Sequence, residues 1–216
     1  MFAVVFEVQP RKERFEEYLG HAKMLKPHLE RIDGFVDNER FGSKRTEGRL
    51  LSLSIWRDEK AVIRWRTHAG HHVVQEKGRF EIFADYHLRV GEITRDTQAD
   101  QVVLQQKRFD ETEIGDAKVL TVTELAPTDA ANSDALVARL GLDRTPSGLI
   151  DHEAFESITT PGKLLVLAAW TTADAARALH SAPQDPALRH REIRVIRDYG
   201  MFERREAPQY YPEVKA

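Results

Sequence analysis

The chain has no cysteine among its 216 residues. That excludes disulfides and thiolate zinc sites and suits a reducing compartment. It also lacks any apolar run of roughly 18 residues, so no membrane-spanning helix is expected. The opening Met-Phe-Ala-Val-Val-Phe-Glu has no basic leader, and its apolar run is too short for a signal peptide. No basic stripe for nucleic acid is visible: 32 Lys and Arg are interspersed with 35 Asp and Glu, for a formal net charge of −3. P-loop, G-x-G-x-x-G and G-x-S-x-G motifs are all missing, which leaves nucleotide binding and serine hydrolysis without a sequence basis. What is there, 41% hydrophobic and 31% charged residues, predicts a soluble cytoplasmic protein with enough apolar material for a core.

The chain also repeats itself. Gly-Phe-Val-Asp-Asn-Glu-Arg-Phe-Gly-Ser at 34–43 returns as Gly-Leu-Ile-Asp-His-Glu-Ala-Phe-Glu-Ser at 148–157, a shift of 148 − 34 = 114. At that shift Gly48, Leu50, Leu51, Leu53 and Trp56 fall on Gly162, Leu164, Leu165, Leu167 and Trp170 without a gap. Two copies of one unit imply an internal pseudo-dimer. The reading is a first unit at 1–96, a connector at 97–117, a second, degenerate unit at 118–205 and a tail at 206–216.

Periodicity orders the elements. Phe2 to Val8 reads as a strand, and the three- and four-residue spacing of Phe15, Tyr18, Leu19, Ala22, Leu25, Leu29 and Ile32 as a helix with a break near Lys26, before Pro27. Asp33-Gly34 ends it. Phe35 to Phe41 alternates as a strand with Phe35, Asp37, Glu39 and Phe41 on one side, and Leu50 to Trp56 is the next. Asp58 caps a helix carrying Ala61, Val62 and Trp65 inward, with a break at Gly70 and a second piece through Gln75. Phe83 to Arg95 closes the first copy. The second copy has strands at Lys118–Leu125, Leu149–Phe155, Leu164–Trp170 and Glu192–Arg204, and helices at Asp129–Leu140 and Thr172–Leu179. The connector contains an apolar island, Val102 to Leu104, that reads as a short edge strand. The tail, with Tyr210 and Tyr211, reads as packing over a neighbouring surface. The fold class is α+β: two tandem ferredoxin-like β-α-β-β-α-β units whose antiparallel sheets pack face to face as an intrachain pseudo-dimeric barrel.

One stretch is dense in residues that suit a site. Two of the three tryptophans, Trp56 and Trp65, and three of the nine histidines, His68, His71 and His72, lie between residues 56 and 72. Flat indole walls beside a group that accepts protons near neutral pH suit a pocket that binds an aromatic molecule and moves one of its protons. Each residue also has a plain reading. Trp56 recurs as Trp170 and fits a core position, and Trp65 fits a plug between helix and sheet. His68, His71 and His72 lack a carboxylate at a helical ligand spacing, and adjacent histidines on a helix point about 100° apart, so no metal site is expected. At the shift of 114, Trp65 becomes Leu179, His71 becomes Asp185 and Asn38 becomes His152. Scaffold residues recur while candidate pocket residues do not, as in a chain with one working half.

At Asp33-Gly34-Phe35, Leu51 through Ala61, Trp65 through His71, Gln75, Gly78-Arg79 and Phe83 through Tyr86, the chain resembles the antibiotic biosynthesis monooxygenase family. The ending Val195 to Arg205 is similar to the close of single-domain members. The resemblance implies a dimeric α+β barrel and a monooxygenase that needs no cofactor. In such an enzyme a deprotonated phenol or hydroquinone itself reduces O2. It implies His71 as base, Trp65 as wall, and Asn38 or Arg79 as polar anchor, with His68 and Trp56 as further substrate contacts. The heme-degrading branch uses an Asn on the first strand and a ligating His ten residues after the helix Trp. Here Gln75 occupies that place and Phe2 to Val8 holds no Asn. A heme-binding or heme-degrading protein and a non-catalytic ligand-binding or structural barrel are the alternatives. Pairing of two whole chains as a homodimer is compatible with all three.

Overall fold

Residues 1–98, 108–127, 132–179, 186–209 and 211 are described by the structure, a computed structural model. The β-branched and aromatic run Phe2–Pro10 forms β1. A 3₁₀ turn at Lys12–Arg14 leads into α1, Phe15–Leu29. β2 (Phe35–Ser43) and β3 (Leu50–Trp56) follow. Next come α2 (Glu59–Arg66), α3 (Ala69–Lys77), a wide π-helical turn at Gly78–Ile82 and β4 (Phe83–Asp96). The second half repeats the order with β5 (Val119–Leu125), α4 (Ser133–Arg139), β6 (Leu149–Ser157), β7 (Leu164–Trp170), α5 (Ala173–Leu179) and β8 (Leu188–Gly200). Among the described residues no helix is long and apolar enough to cross a membrane.

Several boundaries differ from expectation. α1 runs through Pro27 rather than breaking at Lys26, because the proline sits in the last turn, where few helical bonds remain to be lost. The break between α2 and α3 falls at Thr67–His68, not at Gly70: the Thr67 hydroxyl bonds back to the Ile63 carbonyl and His68 takes an extended conformation. β8 ends at Gly200, where Gly200 N–H turns back to the Glu203 carbonyl, so Met201 to Arg204 lie beyond the strand. α4 begins at Ser133, where the Asn132 side chain accepts from Ala135 N–H; the expected start at Asp129 and the island Val102–Leu104 lie outside the described residues.

A bulge between Phe35 and Asp37 overturns the simple alternation of β2. Phe35 packs against Trp56 on the helix side, ring centroids 5.5 Å apart, while Phe41 points into the barrel. β6 has the same irregularity between Leu149 and Asp151. A one-residue slip reverses every later side chain, so the bulge is what turns Asn38 and Arg40 toward the helices.

The eight strands close in the order β1-β3-β2-β6-β7-β5-β8-β4, all neighbours antiparallel. The two sheets therefore do more than face each other: β2 bonds to β6 and β4 to β8, leaving no free edge between them. The interior is one apolar cluster from both halves, with Phe41 and Phe155, Leu51 and Leu165, and Val5 and Val122 among its members. The recurring glycines have matching reasons. Gly34 (φ +90°) and Gly148 (φ +82°) are left-handed, and a Cβ there would lie 2.7 Å from the Ala61 Cβ and 2.5 Å from the Ala175 Cβ, respectively.

Equivalent charge clusters line both barrel mouths. At one, Glu7 pairs with Arg89 and with Arg49 (2.5 Å), and Arg49 also reaches Glu153. At the other, Glu124 pairs with Arg191 and with Lys163 (2.7 Å), and Lys163 also reaches Glu39. Burial pushes the Glu7 and Glu124 carboxyls up, but the neighbouring cations outweigh it and hold both below the usual carboxylate range. Ser43 bonds to Glu153 and Ser157 to Glu39, a reciprocal exchange of the kind a two-fold axis demands.

Candidate active site

With its interior filled, the barrel leaves room elsewhere. A cavity of about 210 Å³ lies on the outer side of the first sheet, roofed by α1, α2 and α3. Its floor is set by two register rows: Asn38, Ser54, Val4, Val90 and Arg197, and beside them Arg40, Ser52, Phe6, Leu88 and Tyr199. Each row crosses β2, β3, β1 and β4 and ends on β8, so the second half supplies one edge. Past β8 the chain returns over the opening with Arg204, Pro208, Gln209 and Tyr211.

Trp65 and His71 meet at this cavity. Their rings stack with centroids 4.1 Å apart and 14° between planes. On an unbroken helix, six residues at about 100° each would leave them roughly 240° apart. The break at Thr67–His68 brings them together. His71 Nδ1 lies 3.0 Å from the Trp65 carbonyl. A carbonyl only accepts, so Nδ1 carries the proton and Nε2 keeps its lone pair, with no hydrogen-bond partner among the described residues. Burial pushes the His71 pKa down to about 4, against the opposing pull of that bond, so the ring is neutral at physiological pH. The result is an oriented, uncharged proton acceptor beside an indole wall.

The other expected residues fall in different places. Asn38 lines the cavity, its amide N–H groups bonded to Ser52 Oγ (2.9 Å) and the Leu53 carbonyl (3.1 Å). Arg79 also lines it, but is only 2% exposed and donates to the Met201 carbonyl (2.6 Å) and the Tyr86 hydroxyl (3.2 Å), tying the π-helical turn to the end of β8. His68 stands behind Trp65, against His28 of α1, and does not line the cavity. Trp56 is fully buried beneath α2 with its indole N–H on Ser54 Oγ (2.9 Å), on the same sheet face one register row beyond the floor. Gln75 accepts from the Gln209 amide (3.2 Å), joining α3 to the tail. Among the described residues no group of three or more His, Cys, Asp or Glu side chains is placed to hold a metal ion.

Residues from the far end of the chain escaped the sequence reading. Tyr199 and Arg204 sit against Tyr211, with the Arg204 guanidinium over both rings at 5.6 and 5.4 Å. Burial pushes the Tyr199 hydroxyl up to about 12; the charges of Arg66, Arg204 and Arg197 pull the other way. Tyr211 of the tail was a visible signal that does not name the surface it covers, and Tyr210 lies outside the described residues.

Comparison with known proteins agrees with this architecture. A model of the antibiotic biosynthesis monooxygenase family matches residues 1–77. Jasmonate monooxygenase ABM of Pyricularia oryzae is 42% identical over 218 aligned residues, covering 98% of this chain and 99% of that protein. Among solved structures, an aldoxime dehydratase in complex with butyraldoxime superposes over 90% of this chain and 79% of its own, with a TM-score of 0.58 at 12% identity. That likeness is one of fold.

Proposed function

We propose that this chain, which belongs to the antibiotic biosynthesis monooxygenase family, oxygenates a small, largely apolar molecule held in the first-half cavity. The observation that carries the proposal is the stacked Trp65–His71 pair, which sets a neutral imidazole with an unpartnered Nε2 at the wall of an otherwise mostly apolar space. A dry cavity of roughly 150 Å³ is enough to take up benzene, so this one suits a somewhat larger guest. Jasmonate, the substrate named for the whole-chain relative, is the leading candidate. His71 Nε2 accepts a proton from the bound molecule, Trp65 packs against its flat portion, and the roof of helices excludes water.

A phenol or hydroquinone is the second reading, favoured by the pairing of a flat indole with a proton acceptor. Electron counting separates the two. Converting C–H to C–OH with O2 also forms one water and consumes two electrons and two protons from a separate reductant. Converting a phenol's O–H and its para ring C–H to the two C=O groups of a quinone with O2 releases one water and needs no reductant, because the substrate supplies all four electrons. Deprotonation by His71 serves the second type directly.

Incubation with jasmonate under isotopically labelled O2, followed by mass spectrometry with and without an added reductant, tests the function. The expected product carries one labelled oxygen atom. Recovery of unlabelled jasmonate with no oxygen consumed, for jasmonate and for a hydroquinone alike, would overturn it.

A further inference from the structure

The cavity is lined by six cationic side chains and a single carboxylate, Glu59, which is already paired with Arg108. That excess is local, since the whole chain carries a net charge of −3. Three of the cations are accounted for: Arg79 and Arg204 are committed to carbonyls and to the Tyr86 hydroxyl, and Lys26 lies 3.8 Å from Glu30. Arg66 and Arg197 are not. Both are half-buried, neither makes an ion pair or side-chain hydrogen bond among the described residues, and Arg66 Nε is shut off from solvent without a partner. Arg66 from α2 and Arg197 from β8, two residues before Tyr199 on the same strand face, line this one cavity together with Tyr199. Arg40, also unpaired, lies at the opposite edge of the sheet, on β2, four strands from β8 and hence roughly 19 Å away.

Like charges brought together in a partly dry cleft are costly unless an anion joins them. A planar guanidinium matches a carboxylate through two parallel N–H bonds. We propose that Arg66 and Arg197, beside the Tyr199 hydroxyl, form a carboxylate-binding subsite at the β8 edge of the cavity, so the substrate is an amphipathic monocarboxylate. Its charged end rests on a residue of the second half while its apolar body lies along Val4 and Leu88 toward Trp65 and His71. This explains why a cavity of the first half needs the second: β8 brings half of the anion site. The inference rests on the proposed function only for where the substrate lies.

Calorimetric titration of the full-length protein with jasmonate and with its methyl ester tests it, because the ester keeps the shape and removes the charge. The acid is expected to bind the wild type about tenfold or more tightly than the ester, the order of a charged hydrogen bond. Arg66→Gln with Arg197→Gln should remove that preference while ester affinity holds, Arg197→Lys should restore part of it, and Arg40→Gln should leave it intact. Equal binding of acid and ester by the wild type, no binding of either, equal weakening of both in the double variant, or loss of the preference in Arg40→Gln would each overturn the subsite. Since the readout is binding, a protein that prefers the acid yet consumes no oxygen would keep the subsite and lose the oxygenase reading.

Discussion

The outward face of the first sheet carries Asn38, Arg40, Ser52 and Ser54 where the second carries His152, Ala154, Val166 and Ala168. Both halves use the same scaffold: a buried Trp at the end of the third strand, a left-handed Gly after the first helical segment, and a Glu exchanged with the opposite half. They differ in what covers the sheet. α1 spans 15 residues and stands off over a cavity, whereas α4 spans 7, and Leu136 and Leu142 close down on Val166, Ala168 and Trp170. The frame recurs in both halves, and the polar sheet face with a cavity over it belongs to the first. The second half is not idle, since its last strand and the residues after it wall the first half's cavity.

The largest effect expected from breaking this asymmetry is chemical. His71→Ala should lower the rate of substrate oxygenation by about 10²- to 10⁴-fold, measured by oxygen uptake, with the unfolding midpoint little changed. A variant that turns over at the wild-type rate would return the two halves to equivalence.

The next effect is structural and tests the symmetry itself. Glu7→Ala leaves the buried Arg89 uncompensated and should destabilise the protein by about 3–5 kcal/mol in denaturant titration, whereas Glu124→Ala, after which Arg191 keeps Asp96 and Lys163 keeps Glu39, should destabilise it by less. Because both carboxyls are held below their usual range, their contribution is present at neutral pH and is lost as the pH falls through the folded-state values. A large cost at one mouth with none at the other would break the two-fold account.

His71 adds a titration of its own. Its folded pKa, about 4, lies below the value near 6.5 expected when unfolded, so the unfolded chain takes up its proton first. Stability from this group is full above pH 6.5 and declines as the pH falls toward 4, by on the order of 3 kcal/mol. Replacing His71 with Phe should flatten the unfolding free energy across that interval. An unchanged pH slope would contradict the burial assigned to the ring.

The smallest effect sharpens the comparison at one pair of residues. The Trp56 indole bonds Ser54, while the equivalent Trp170 bonds Thr121 across the strand (3.0 Å). Val4 faces Ser54 just as Thr121 faces Ala168, so the hydroxyl has moved from one member of a cross-strand pair to the other. Ser54→Ala should cost about 1–3 kcal/mol by stranding the indole N–H. Adding Val4→Thr should recover most of it in a double-mutant cycle, and full additivity would refute the equivalence.

Much of the fold was readable because the pattern Gly34…Trp56 and Gly148…Trp170 fixes register twice, and β7 ends where its periodicity does. The bulge after Phe35 was not, because a single extra residue leaves the composition of the strand unchanged while reversing its faces. Trp65 and His71 were recognisable as chemistry, and their stacking depended on a helix break whose position is set by the Thr67 back-bond rather than by Gly70. Arg66, Arg197 and Tyr199 stood in plain view without signalling a site. They line one cavity only because β4 and β8 zip the two sheets together, a pairing between segments roughly a hundred residues apart.

A crystal structure of the protein with jasmonate bound tests the central claim most directly. The ligand should lie between the helices α1–α3 and the outer face of the first sheet, within hydrogen-bond distance of His71 Nε2 and packed on Trp65. Density instead in the charged mouth around Glu7, Arg49 and His87, or against α4 and α5 of the second half, would contradict it.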